Sequence, residues 1–129
     1  MVTKKNEMYK CGVCGNAVEV LDAGAGELVC CGKPMELLQE KTFEQEGKEK
    51  HVPVVKVDGN NIQVNVGSVP HPMEDKHYIG LIEILGNGEV IASARLNPGE
   101  KPEADFCFDP AGAKITARIW CNVHGVWKS

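Results

Sequence analysis

From residue 52 onward, apolar and polar positions alternate along the chain in short runs. Val52, Val54, Val55 and Val57 make the first run, and Ile62, Val64 and Val66 alternate with Gln63 and Asn65 in the next. A period of two belongs to a half-buried strand. The Asp58-Gly59-Asn60-Asn61 segment between the runs holds residues that favour tight turns, so the pair is predicted to be a hairpin. HYIGLIEIL then runs into Gly86-Asn87-Gly88 and resumes as VIASARL, a second hairpin by the same signal. Further strands are expected at ADFCFD and KITARIW, where Ile115, Ala117 and Ile119 share a face. Helical period is scarce, so the expected fold is all-β, with a sandwich in this part of the chain.

The first quarter has a different character. YKCGVCGNAVEVLDAGAGELVCCGKPM is rich in Gly and poor in large apolar residues, too poor to fold on its own burial. A staple is required. Cys11 and Cys14 have the two-residue spacing that presents two sulfurs to one ion from a tight turn, with Gly15 directly behind. Cys30 and Cys31 are adjacent, and neighbouring residues of a strand point to opposite faces, so both reach one ion only if the backbone bends there. The charged stretch LLQEKTFEQEGKEK follows and reads as a linker or exposed loop. The expected organisation is a small metal-stapled domain over residues 1–38 and a β-sandwich over residues 39–129.

Length, charge and cysteine use then limit the function. A chain of 129 residues excludes a large multi-domain enzyme, and the formal net charge of −4 argues against a general nucleic-acid binder. MVTKKNEMYK carries lysines with no apolar run behind them, and no run anywhere is long enough to span a bilayer. A cytoplasmic protein with no membrane partner is expected. There, six cysteines point to metal thiolates rather than disulfides. Spacing alone leaves zinc and iron open for the first four.

All four histidines, His51, His71, His77 and His124, fall in the second segment, at predicted strand ends or in loops, and Cys121 stands three residues before the last of them in CNVHGVW. Four imidazoles with one thiolate suit a redox-active transition metal better than a structural zinc, which is satisfied by four ligands. Cys107 alternates with Asp105 and Asp109 against Phe106 and Phe108 and reads as a thiol without function.

Taken in order, CGVCG, CCGKPM, EKHVPVV, SVPHPMEDKHYI and CNVHGVW resemble the desulfoferrodoxin family, two-iron superoxide reductases with an N-terminal desulforedoxin-like domain, over nearly the whole chain. The resemblance implies an immunoglobulin-like β-sandwich behind the small domain, and a homodimer. It implies two Fe ions: an Fe(Cys)4 centre held by Cys11, Cys14, Cys30 and Cys31, and an Fe(His)4(Cys) centre with His51, His71, His77 and His124 in a square and Cys121 as the axial thiolate. Leu81 departs from the pattern, since the family commonly has Trp there.

The implied reaction converts one superoxide, one electron and two protons into one hydrogen peroxide with no oxygen formed, a defence against oxidative stress. Five protein ligands leave an octahedral iron one open position for superoxide. Glu49 and Lys50 match the pair that precedes the first histidine. Lys50 is expected to attract the anion, with Lys48 and Lys76 as minor contributors, and Glu49 to be a sixth ligand of the ferric state. Backbone N–H groups of Val123 and His124 are expected to restrain the sulfur's donation. Rubredoxin or a similar small carrier is the implied electron donor. Two other functions fit parts of the pattern: a non-catalytic iron electron-transfer protein, and a zinc-ribbon interaction module on a sandwich. The first makes no use of an open position, and the second leaves the histidines and Cys121 unexplained.

Overall fold

The computed structural model describes residues 3–42, 44, 50–68 and 71–129. The chain forms two compact units, Met1–Gln39 and Glu40–Ser129. Among the described residues there is no α-helix.

In the first unit, β1 (Met8–Lys10) lies between β2 (Ala17–Glu19) and β5 (Glu36–Leu37), all antiparallel. A separate hairpin joins β3 (Val29–Cys30) to β4 (Lys33–Pro34). Among the described residues Met8, Tyr9, Cys11 and Val20 are its buried apolar ones, whereas Val13, Leu21 and Val29 are exposed. So thin a core agrees with the need for a staple. The turn between β3 and β4 is Cys31-Gly32, with φ of 53° and 74°. Two residues in the left-handed region close a hairpin whose twist matches its strands, and this is the bend that two adjacent cysteines require. Cys31 adopts it at the steric cost a non-glycine bears there.

The second unit is a sandwich. One sheet has the order β10-β9-β12-β13-β6, from β9 (Ile79–Gly86), β10 (Glu89–Arg95), β12 (Ile115–Cys121), β13 (Gly125–Lys128) and β6 (Glu40–Lys41). The other has the order β11-β8-β7, from β7 (Pro53–Asp58), β8 (Asn61–Val66) and β11 (Glu103–Cys107). Both expected hairpins form, turning at Gly59-Asn60 and at Asn87-Gly88. Ile62, Val64 and Val66 of β8 face Ile79, Ile82, Ile84, Ala117, Ile119, Cys121 and Trp127 in one core. On β8 these residues alternate with exposed or half-buried ones, as the period of two requires, whereas β9 and β12 bury Glu83 and Arg118 between theirs.

One expectation changes. Glu40 and Lys41, in the stretch read as linker, form an edge strand that pairs in parallel with β13, Val126 opposite Glu40 and Trp127 opposite Lys41. Backbone pairing to a neighbour leaves no trace in the hydropathy of a two-residue strand. The departure at Leu81 is matched across the sheet, because its partner on β12 is Trp120. That indole occupies the space a side chain at Gly80 would need: a Cβ there would lie 2.5 Å from the Trp120 ring.

Candidate metal centres

Cys11, Cys14, Cys30 and Cys31 come together, with all four sulfurs within 4.8 Å of one another. Cys14 and Cys30 sulfurs are 3.5 Å apart, and those of Cys30 and Cys31 are 4.0 Å apart. These distances are far too long for a disulfide. They bracket the spacing of about 3.8 Å that a tetrahedron with bonds of about 2.3 Å to sulfur demands. Cys11 is buried, and Cys14 and Cys31 are exposed.

The local turn explains how the first pair is presented. The N–H groups of Val13 and Cys14 each donate to Cys11 Sγ at 3.4 Å, and Gly15, at φ 84°, donates to the Cys11 carbonyl. Those two donors, Cys14 before Val13, stabilise the thiolate and bring the Cys11 pKa down to about 6. Crowding acts in the other direction on its neighbours. The thiol of Cys14, then that of Cys11, pushes Cys30 up to about 12, and Cys14 likewise raises Cys31. Cys30 and Cys31 thereby hold protons that a bound cation would displace.

The second group is assembled from three connecting segments. His51 precedes β7, His71 follows β8, His77 sits in an isolated bridge with Glu74 ahead of β9, and Cys121 ends β12 with His124 in the turn to β13. Ring centres of successive histidines are separated by 4.6 Å (His51–His71), 4.7 Å (His71–His77), 4.9 Å (His77–His124) and 4.7 Å (His124–His51). The diagonal between His51 and His77 is 6.4 Å. Near-equal sides with that diagonal describe a square. Half the diagonal equals a metal–nitrogen bond of about 2.1 Å plus the about 1.1 Å from a ring nitrogen to its ring centre. Adjacent rings are inclined at 63° to 84°, like paddles around an axle.

The atoms that face inward agree. His51 Nε2 and His124 Nδ1 are 3.1 Å apart, close to the about 3.0 Å expected of two nitrogens at right angles on one ion. Cys121 Sγ lies 3.7 Å from His71 Nε2 and 4.0 Å from His124 Nδ1. His71 turns its other nitrogen, Nδ1, to the Pro72 carbonyl at 2.7 Å, an arrangement that leaves Nε2 as the lone-pair donor. Cys121 is fully buried, and His51 and His71 are each 3 % exposed. A buried cluster of four nitrogens and one sulfur fits a transition ion, and the two groups match the two iron sites of desulfoferrodoxin domains.

Further residues hold this group in place. The His124 N–H donates to Cys121 Sγ at 3.4 Å, as expected. Gly125 follows at φ 82°, so Cys121-x-x-His124-Gly125 repeats the turn of Cys11-x-x-Cys14-Gly15. Asn122 was not singled out from the sequence. Its Oδ1 accepts from Tyr78 N–H at 2.8 Å, its Nδ2 donates to the Lys76 carbonyl at 3.0 Å, and its N–H donates to the Tyr78 carbonyl at 3.2 Å. Asn122 therefore ties the turn holding Cys121 and His124 to the segment holding His77. Its position between two ligands in a tight turn was the available signal. Trp127 stacks on His51, with ring centres 4.7 Å apart and planes 13° apart, so it covers the group.

Lys50 is described and half-buried next to His51, and Lys76 is exposed. Glu49 and Lys48 lie outside the described residues. Cys107 is exposed at the end of β11, away from either group.

The comparisons with known proteins agree with this geometry. Residues 3–38 match the family model described as desulfoferrodoxin, N-terminal domain, and residues 43–129 match the desulfoferrodoxin model. A desulfoferrodoxin homolog of Archaeoglobus fulgidus is 50 % identical over 128 residues, covering 99 % of each chain. Desulfoferrodoxin of Nitratidesulfovibrio vulgaris is 53 % identical over 95 % of this chain and 94 % of its own. Among solved structures, the superoxide reductase of Treponema pallidum superposes with a TM-score of 0.74 at 28 % identity, covering 95 % of this chain and 96 % of that one. This chain belongs to the desulfoferrodoxin family.

Proposed function

We propose that the chain is a superoxide reductase, an oxidoreductase that reduces superoxide to hydrogen peroxide at the centre built by His51, His71, His77, His124 and Cys121. The observation that carries this reading is the square of four imidazoles with a buried cysteine sulfur beside it. Five donors leave an octahedral ion one position to exchange, which a relay does not need and a reductase does. Bound there, ferrous iron supplies the electron that superoxide takes up. The superoxide reductases among the relatives and solved structures support the assignment.

The chain's own residues do the rest. The four histidines hold the ion by neutral nitrogens, His71 being kept in the right tautomer by the Pro72 carbonyl. Cys121 supplies a strong donor, and the N–H of His124 withdraws part of that donation. Trp127 and the buried rings exclude water from one flank of the site. Lys50 draws the anion toward a protein whose net charge is −4. Glu49 would supply a hard carboxylate suited to the ferric ion. Cys11, Cys14, Cys30 and Cys31 would hold the second iron with four sulfurs, a set that leaves superoxide no place there.

In the same reading the protein works in the cytoplasm as a homodimer, its unbridged cysteines suited to a reducing compartment, and takes its electron from rubredoxin or a similar small carrier. An optical titration of the iron-loaded protein tests the proposal. A ferric four-thiolate spectrum is expected to be joined, at higher potential, by a separate long-wavelength thiolate-to-iron band, and superoxide to be consumed without release of oxygen. A protein that stays colourless after iron reconstitution would sink the reading, and so would oxygen formed in step with superoxide loss.

A further inference from the structure

Lys41 stands on β6 opposite Trp127. Its Nζ donates to the His124 carbonyl at 3.0 Å and lies 5.3 Å from the centre of the Trp127 ring. Trp127 Nε1 donates to the same carbonyl at 3.1 Å, and the same indole stacks on His51. One ammonium group thus touches two structures that each reach a histidine of the square.

Both contacts have chemical consequences. A carbonyl held by two donors, one of them charged, cannot rotate without losing a charge-assisted hydrogen bond. That carbonyl belongs to His124, whose N–H caps the Cys121 sulfur. A cation against an indole that is only 4 % exposed acts through a poorly screened environment. Its field favours the form of the centre with the lower positive charge, which is the reduced one.

We propose that Lys41 is a positioning residue of the His51, His71, His77, His124 and Cys121 centre: it fixes His124 directly and His51 through Trp127, and its charge favours the reduced state. The proposal rests on the iron centre assigned above. Three variants separate its parts in the full-length iron-loaded protein, with the midpoint potential and the thiolate-to-iron band as readouts. Lys41→Met keeps the length and loses charge and donors, Lys41→Gln loses the charge and keeps a donor on a side chain one atom shorter, and Lys41→Arg keeps both. The midpoint is expected to fall in Lys41→Met and Lys41→Gln, with the band displaced in Lys41→Met, while Lys41→Arg stays at the wild-type values. Equal potentials in wild type, Lys41→Met and Lys41→Gln overturn the proposal, as does an Arg variant displaced as far as the Met variant. A wild-type protein without the band overturns the iron centre itself, and the role of Lys41 with it.

Discussion

Nine residues of the two groups are legible in the sequence because they are of types a chain seldom spends without purpose, Cys and His, set in short turn motifs. The residues that hold them are not. Lys41 and Asn122 are ordinary surface types, and their contacts join positions 83 and 46 residues apart, which no local pattern reports. Lys50 falls between the two cases, placed by its neighbour His51 rather than by any signal of its own. Its replacement in Lys50→Ala is expected to slow the second-order reaction with superoxide by about tenfold at low salt and to flatten its dependence on ionic strength. Stopped-flow rates at several salt concentrations measure both, and parallel salt curves for the two proteins exclude steering by Lys50. Gly80 makes a different demand, for space rather than charge. Because a Cβ there would meet the Trp120 ring at 2.5 Å, Gly80→Ala is expected to cost about 1–3 kcal/mol. Trp120→Leu in the same chain should recover most of that loss in urea melts. No recovery would place the cost in the backbone instead.

At the scale of elements, the long strands were readable and the short ones were not. Six residues of β8 alternate cleanly, so their period announces them, whereas β6 is a pair of polar residues held only by backbone pairing to β13. The same edge strand takes part in an ion network. Arg118 of β12 donates to Glu83 of β9 from Nε at 2.8 Å and Nη2 at 2.7 Å, and reaches Glu40 of β6 from Nη1 at 3.2 Å. Glu83 and Arg118 are cross-strand partners at a position where the chain buries both, to 1 % and 4 % exposure. A buried pair contributes little net stability when intact, yet losing one partner strands the other's charge. Arg118→Met alone is therefore expected to cost about 3–5 kcal/mol, and Arg118→Met with Glu83→Met far less. Chemical denaturation of both variants checks the difference, and equal losses would show that the charges are not coupled.

Over the whole molecule the two units are stabilised by different means. The sandwich buries a continuous set of Ile and Val side chains, while the first unit has Met8, Tyr9, Cys11 and Val20 as its buried apolar residues and relies on four sulfurs. Metal removal should therefore separate them. With both irons stripped under reducing conditions, amides of residues 3–38 are expected to lose their dispersion, while those of β8, β9 and β12 keep theirs. Acidity acts through the same sulfurs. Without metal, Cys30, pushed up to about 12, and Cys31, raised above the ordinary thiol value, are both protonated at neutral pH, whereas Cys11, brought down to about 6, is a thiolate there. Loading the site at pH 7 must displace at least the protons of Cys30 and Cys31, so affinity should rise at least about 100-fold per pH unit, and more steeply below about 6, where Cys11 is protonated too. Titrating the stripped protein with ferrous iron against a competing chelator from pH 5.5 to 8 would measure that slope, taking these limits as about the range the thiols define. A slope clearly below about 100-fold per unit would mean that Cys30 or Cys31 is already a thiolate, and that the turn at Cys31-Gly32 brings the sulfurs together at less electrostatic cost than their crowding implies.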